Sequence, residues 1–299
     1  MVDLITNFLS ADFRTATPLL LAAIGLVFGE RSGIVNIGAE GMMLTGALAG
    51  VAGSYFLGSA WFGALAGMFF GALIALIFAY LTITLRADQT VVGAAINIFG
   101  LGLTTSFARV IFGVNTAPPK IDAFEPIAIP VLSKIPILGP VLFHQNALVY
   151  LTLICVPIAY FILFKTDIGL KVRAVGEHPK AADTVGINVY AVRYGSVLVS
   201  GLFCGLAGSY VSLGLLSFFT ENMVAGRGFI ALAAVVFGKY NPVGALGAAL
   251  LFGAGEALQF RLQASGTTIP FQFLLMVPYV LTILALAGIV GKSTGPAAS

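Results

Sequence analysis

Apolar residues run along this chain in blocks of about twenty, separated by short polar breaks, for nearly its whole length. A bilayer core takes about 20 apolar residues per helix, with roughly 17 to 25 tolerated. That spacing predicts spans near 34–57, 61–85, 90–112, 146–164, 194–219 and 269–290. Two stretches are too short or too interrupted for a plain span. Thr15 to Gly29 runs into Glu30-Arg31-Ser32-Gly33, and Phe229 to Leu258 is cut by Gly238-Lys239-Tyr240-Asn241-Pro242. The two resemble each other: charged or amide residues, then glycine, then an Ala/Gly-rich helix, through Gly46-Ala47 and from Glu221-Asn222 through Gly244-Ala245. Interrupted helices at corresponding places in two halves of a chain are a transporter signature, although a Gly/Ala-rich chain also produces such likeness by chance. The expected fold class is an all-α polytopic membrane protein, a single domain over 1–299 with about eight to ten membrane segments, some half-length.

Composition turns this pattern into a requirement for lipid. Hydrophobic residues fill 59% of 299 positions and charged residues only 9%, against roughly 25% charged in a soluble domain. A surface so poor in charge precipitates in water. The net charge of +3 is scattered and gives no footprint for nucleic acid. Cys155 and Cys204 sit in apolar runs and read as packing residues, with neither disulfide nor metal spacing. The N-terminal MVDLITNFLSADFR lacks the basic stretch of a cleavable signal peptide.

Charge also orients the chain. Lys165, Lys171, Arg173, Lys180 and Arg193 crowd the 165–193 loop, which is therefore expected in the cytoplasm. Counting spans away from it places Arg86 and Glu30-Arg31 inside, with the Pro-rich 113–145 segment and the N-terminus outside. If 229–257 makes a hairpin of two short helices, Lys239 and Lys292 fall inside, and Arg227 and Arg261 fall outside. Within the spans, Gly46-xxx-Gly50, Gly63-xxx-Gly67-xxx-Gly71 and Gly201-xxx-Gly205 put glycines on one helix face, which predicts close helix packing.

Catalytic constellations are missing. The chain has no H-E-x-x-H, no G-x-S-x-G and no paired-cysteine metal motif. Gly291-Lys292-Ser293-Thr294 lacks the first glycine and the preceding strand of a phosphate loop and reads as a tail. Both histidines, His144 and His178, fall in expected loops. No enzyme activity, cofactor or metal is expected in this chain.

The most informative segment is cytoplasmic, Arg173-Ala174-Val175-Gly176-Glu177-His178-Pro179-Lys180-Ala181-Ala182-Asp183-Thr184-Val185-Gly186-Ile187. Pro179 suits the first position of a helix, where its missing N–H is not needed. Gly186 suits the C-terminal stop, and Glu177 complements the positive end of the helix dipole. These residues predict a short, capped surface helix; physics alone leaves open whether it docks a soluble partner or is an ordinary loop helix.

The same stretch resembles the coupling loop of ATP-driven (ABC) importer permeases, in the group that includes branched-chain amino acid, ribose-type sugar and nucleoside permeases. Gly29–Met43 and Glu221–Pro242 look like the nucleoside branch, and the likeness extends from about Thr17 to Leu262. The resemblance implies ATPase coupling through Arg173, Gly176, Glu177, Pro179, Ala181, Ala182 and Gly186. It implies a bacterial inner-membrane location, a separate ATPase subunit holding ATP and Mg, a second homologous permease subunit and an extracytoplasmic binding lipoprotein. Riboflavin importers share much of the pattern, so it speaks less firmly on cargo.

Polar residues inside a membrane are costly and mark function by default. Asn36, Glu40, Asn97, Asn222 and Arg227, with Phe99 for stacking, are candidates for a nucleoside pathway, since amides and aromatic faces suit a neutral base and ribose. The alternative for each is an interhelical hydrogen bond or ion pair that holds the fold. Glu256 and Gln259 close the helix after Pro242. A secondary transporter, with Glu40 or Glu256 as its coupling carboxylate, is the rival class. An integral membrane enzyme would need a clustered site that the sequence lacks. Within the importer class, riboflavin, a simple sugar or a branched-chain amino acid are the alternative cargoes.

Overall fold

Thirty residues from Val2 to Arg31 form one helix, α1, where the sequence predicted a broken segment. The polar residues that interrupted the hydropathy pattern are buried or paired within the protein. Arg14 Nε donates to Gln145 Oε1 at 3.0 Å, and Asp12 is buried against the glycine face at Gly253. Pro18 is accommodated inside the helix. These contacts come from the computed structural model, which describes residues 2–113, 121–128 and 138–264 with isolated positions beyond. The span expected at 269–290, the 291–294 tail and much of the 113–145 loop lie outside the described residues.

The chain then runs through α2 (Ala39–Leu57), α3 (Ala60–Ala79, ending in a π turn, Tyr80–Thr84) and α4 (Gln89–Phe112). The outer connection carries α5 (Leu138–Leu142) and a two-stranded antiparallel ribbon, β1 (Pro126–Ala128) with β2 (His144–Asn146). Next come α6 (Ala147–Lys165), α7 (Asp167–Glu177), α8 (Pro179–Thr184) and α9 (Val189–Tyr210, ending in a π turn, Val211–Leu215). The described helices end with α10 (Arg227–Phe237) and α11 (Pro242–Ala264).

Among the described residues, six helical stretches are long and apolar enough to cross a membrane: α1, α3, α4, α6, α9 and α11, with α3 and α9 counted through their π turns. To these the fold adds α2, 19 residues long and buried along most of its length, and α10, 11 residues long. This is an all-α polytopic membrane protein, and α10 is a half-length segment among the described residues. Three boundaries differ from the sequence reading, the first being the span expected at 194–219, which runs over Val189–Leu215. The predicted 34–57 span begins only at Ala39, and α11 is a full 23-residue helix rather than half of a short hairpin. The apolar run after Pro242 stops at Glu256, but the helix continues because that carboxylate is paired inside the protein.

Helix ends gather into two sets. Arg31 reaches the Lys239 and Tyr240 carbonyls, Arg193 reaches Ser32, and Arg86 meets Tyr190 at one end. At the other, Arg14 meets Gln145, and Arg109 pairs with Glu221 at 2.9 Å. The first set holds the basic 165–193 loop, the end that the positive-inside rule expects in the cytoplasm.

The predicted glycine faces form the centre. α2, α3 and α9 meet where Gly46, Gly67, Gly71, Gly201 and Gly205 touch backbone to backbone. A Cβ on Gly46 would lie 2.6 Å from the Gly205 Cα, and one on Gly205 would strike the Gly67 carbonyl oxygen. In lipid no hydrophobic force drives helices together, so van der Waals contact at such faces carries the association. Gly205→Val is expected to destabilise the protein by about 1–3 kcal/mol through overpacking. Its unfolding temperature in detergent should fall, whereas Gly102→Ala, with nothing within 4 Å, should hold it or raise it.

Candidate functional site

Two helix N-termini meet inside the membrane at one carboxylate. Glu40 lies in the first turn of α2. Its Oε1 accepts from Gly226 N at 2.8 Å and its Oε2 from Gly228 N at 2.7 Å, the amides that open α10. Gly226 caps α10 with φ 88° and offers no side chain, so Glu40 supplies the cap from across the interface. The carboxylate therefore sits at the positive ends of two helix dipoles, where a negative charge is favoured. Gly228 permits the approach, since a Cβ there would lie 2.6 Å from the Glu40 backbone nitrogen.

Asn97 on α4 pins the same turn. Its Oδ1 accepts from Gly41 N at 2.9 Å and its Nδ2 donates to the Ile37 carbonyl at 3.0 Å. Asn97 stands eight residues into α4, about 12 Å from the cytoplasmic end at 1.5 Å per residue. The non-helical residues before α2 thus climb into the membrane before the helix starts. Asn36, on this climb, is fully buried; its Nδ2 donates to Ser200 Oγ at 2.9 Å, and its Oδ1 has no partner among the described residues.

Arg227 opens α10. The sequence reading left it on the outer side, but it is inset, ion-paired with Glu256 of α11, with both side chains nearly enclosed. Its Nη1 also donates to the Met223 carbonyl at 3.0 Å. Removing one partner of such a buried pair costs about 3–5 kcal/mol, because the other charge is left uncompensated.

Of the residues expected in the pathway, Asn36, Glu40, Asn97 and Arg227 thus converge on the α2–α10 junction. Asn222 and Phe99 do not. Asn222 holds a left-handed turn at φ 56° before α10, and its carbonyl accepts from Ala225 N. Phe99 is about half exposed on the outer face of α4. Gly226, Gly228 and Ser200 belong to the junction but were not picked out from the sequence. The Gly-Arg-Gly triplet at 226–228 was the available signal, since glycines that flank a charged residue mark close backbone approach.

The basic segment folds as two helices in series. Pro179 opens α8 as expected, and Gly186 closes it with φ 84°, its N–H donating to Asp183 and Ile187 N to Ala182. Lys180, Ala181, Asp183, Thr184 and Val185 are exposed and Ala182 is buried. Arg173, Gly176 and Glu177 belong to α7. The Arg173 guanidinium stacks over the Phe164 ring at 5.3 Å. Gly176 touches the α1–α2 break, where a Cβ would strike the Arg31 carbonyl oxygen and lie 3.3 Å from Gly33 N. Arg31, not expected to have a role, ties this break to its surroundings. It donates to the Tyr240 carbonyl at 2.8 Å and stacks against Phe164 and Tyr240. A contiguous path therefore runs from α8 through α7 and the break to Glu40 and α10.

Residues 9–286 match the family described as "Branched-chain amino acid transport system / permease component". The chain belongs to this family. The permease is 44% identical to the guanosine ABC transporter permease protein NupQ of Bacillus subtilis (strain 168), a match covering 100% of the chain and 97% of NupQ. It is 41% identical to the nucleoside ABC transporter permease protein NupC of Lactococcus lactis subsp. cremoris (strain MG1363), covering 95% and 92%. It is also similar to a second guanosine ABC transporter permease protein of the same Bacillus strain, NupP, at 27% identity over 82% and 72%. These likenesses make the permease a subunit of an ABC transporter and imply a second permease beside it.

Proposed function

We propose that this permease is one of two different membrane subunits of an ATP-driven importer that carries nucleosides across the bacterial inner membrane. The observation that carries the cargo is the identity above 40%, over almost the whole chain, to relatives named for guanosine and nucleoside transport. The chemistry of the interior agrees. The charges at the α2–α10 junction are consumed internally, by two backbone amides at Glu40 and by the Arg227–Glu256 pair. The two carboxylates described there, Glu40 and Glu256, are thus already engaged by protein groups and do not stand ready for the ammonium of an amino acid, and a neutral nucleoside needs no such partner.

In this reading a separate ATPase, holding ATP and Mg, docks on the exposed side of α8, and an extracytoplasmic lipoprotein delivers the nucleoside. Similarity to NupQ and NupP, two permease proteins from one organism at very different identities, supports a pair of unlike permeases. Motion of the ATPase would reach the membrane interior along the α8–α7–break path and shift α10 between two arrangements.

The test is uptake of labelled guanosine, adenosine, riboflavin, ribose and leucine by cells with and without this gene, with the partner ATPase gene deleted in parallel. Loss of nucleoside uptake in both deletions is the expected result. Loss only without the permease gene would point to an ion-coupled carrier. Loss of riboflavin, ribose or leucine uptake in its place would keep the importer and change the cargo.

A further inference from the structure

A groove of about 480 Å³ opens between α1, α6, α7 and α9 near the cytoplasmic end. Its walls are apolar, built by Phe28, Ile158, Ile162, Val192 and Phe203. Two polar groups break that lining. Lys171 stands at the α7 side, exposed, while Ser196 on α9 is buried and its hydroxyl has no partner among the described residues.

The element beside the groove has the character of a membrane-surface helix. α7 buries Gly169, Val172, Val175 and Gly176 but exposes Ile168 and Leu170, at 66% and 57%. Large apolar side chains beside lysines suit the boundary between headgroups and acyl chains, where an amphipathic helix buries one face in lipid. Lys171 is the charged residue of the lining, so one ammonium group stands at the mouth of an otherwise apolar slot.

We propose that this groove binds an anionic phospholipid of the cytoplasmic leaflet. One acyl chain would lie against Ile158, Ile162 and Phe203, and the phosphate would face Lys171. The Ser196 hydroxyl would donate to an ester oxygen of the glycerol backbone, which supplies the partner it lacks. Charge selects the occupant: a hydrocarbon tail alone leaves Lys171 and Ser196 unused, and a zwitterionic headgroup offsets its own phosphate. The inference rests on the membrane placement of the fold and does not depend on the cargo of the importer.

Gly195 provides a clean test, because it faces open space in the groove and a side chain there meets nothing within 4 Å. The purified permease is titrated with phosphatidylglycerol and phosphatidylcholine of identical acyl chains, and bound lipid is counted by native mass spectrometry. The wild type should hold a lipid with about fivefold preference for phosphatidylglycerol, the contribution of one lysine near a membrane surface. Gly195→Leu should lose that lipid, and Lys171→Gln should keep a lipid without preference. Ile158→Trp, which fills the slot from a half-exposed position on the opposite wall, guards against a folding defect in Gly195→Leu. Equal lipid counts in the wild type and both filled variants would overturn the proposal. So would equal affinity for the two lipids in the wild type, or a wild-type groove that binds none.

Discussion

Glu40→Ala should abolish uptake and lower stability about as much as breaking the buried Arg227–Glu256 pair. The carboxylate accepts from two backbone amides of α10, at 2.8 and 2.7 Å, and the N-cap residue Gly226 has no side chain to cap that helix. A hydrogen bond to a charged group contributes about 1.5–3 kcal/mol, and a buried donor left without an acceptor adds a desolvation penalty. Alanine removes both bonds at once and withdraws the negative charge from two helix N-termini, so a loss of about 3–5 kcal/mol is expected. Glu40→Gln keeps one acceptor oxygen and should recover roughly half of that. The graded order wild type, glutamine, alanine should appear in both the detergent unfolding temperature and in uptake. A glutamine variant as stable as the wild type but with no uptake would break the capping account and return Glu40 to the role of a coupling carboxylate. The geometry argues against that role, because both oxygens are already occupied by fixed amides.

This junction also marks what the sequence made legible. The spans near 61–85, 90–112 and 146–164 were readable because their helices carry a plain apolar run, and α6 begins within one residue of its expected start. Hydropathy failed at α1, where Asp12, Arg14 and Glu30 look like breaks although each is buried or paired within the bundle. A hydropathy window weighs a residue by type and cannot see its partner. It failed in the same way at Glu256, whose charge is met by Arg227, 29 positions away.

The polar candidates were found for a sound reason, their cost in lipid, and four of the six converge in space. What the chain order concealed was the meeting of two distant breaks. Glu40 and Gly228 are 188 positions apart, and their contact depends on glycines that look like any others in a chain with 36 of them. Spacing along one helix revealed the Gly46, Gly67 and Gly205 faces; contacts between different helices at single glycines, such as Gly176 and Gly228, leave no periodic trace.

Gly176 carries the second large prediction, because it is the point where the cytoplasmic helices touch the membrane break. Its missing side chain lets α7 lie directly on the Arg31 carbonyl and Gly33. A valine there cannot be absorbed by a flexible neighbour, since the atoms it meets are backbone, and overpacking of this kind costs about 1–3 kcal/mol. The strain falls on the link between α7 and the break and leaves the exposed residues of α8 untouched. Gly176→Val should therefore purify with the proposed ATPase partner in the normal ratio while uptake falls at least about tenfold, the effect of 1.4 kcal/mol. Glu177→Lys makes the contrast. Glu177 is exposed at the end of α7 and its charge acts on Arg31, so its reversal should weaken association with the proposed ATPase and lower the unfolding temperature of the isolated permease only slightly. Normal uptake by Gly176→Val, with α7 displaced, would mean that the α7–break contact is not the route by which the cytoplasmic helices reach Glu40. Motion would then have to enter through α9, the other helix that the 165–193 loop feeds, and the Arg193 contact to Ser32 would be the next link to cut.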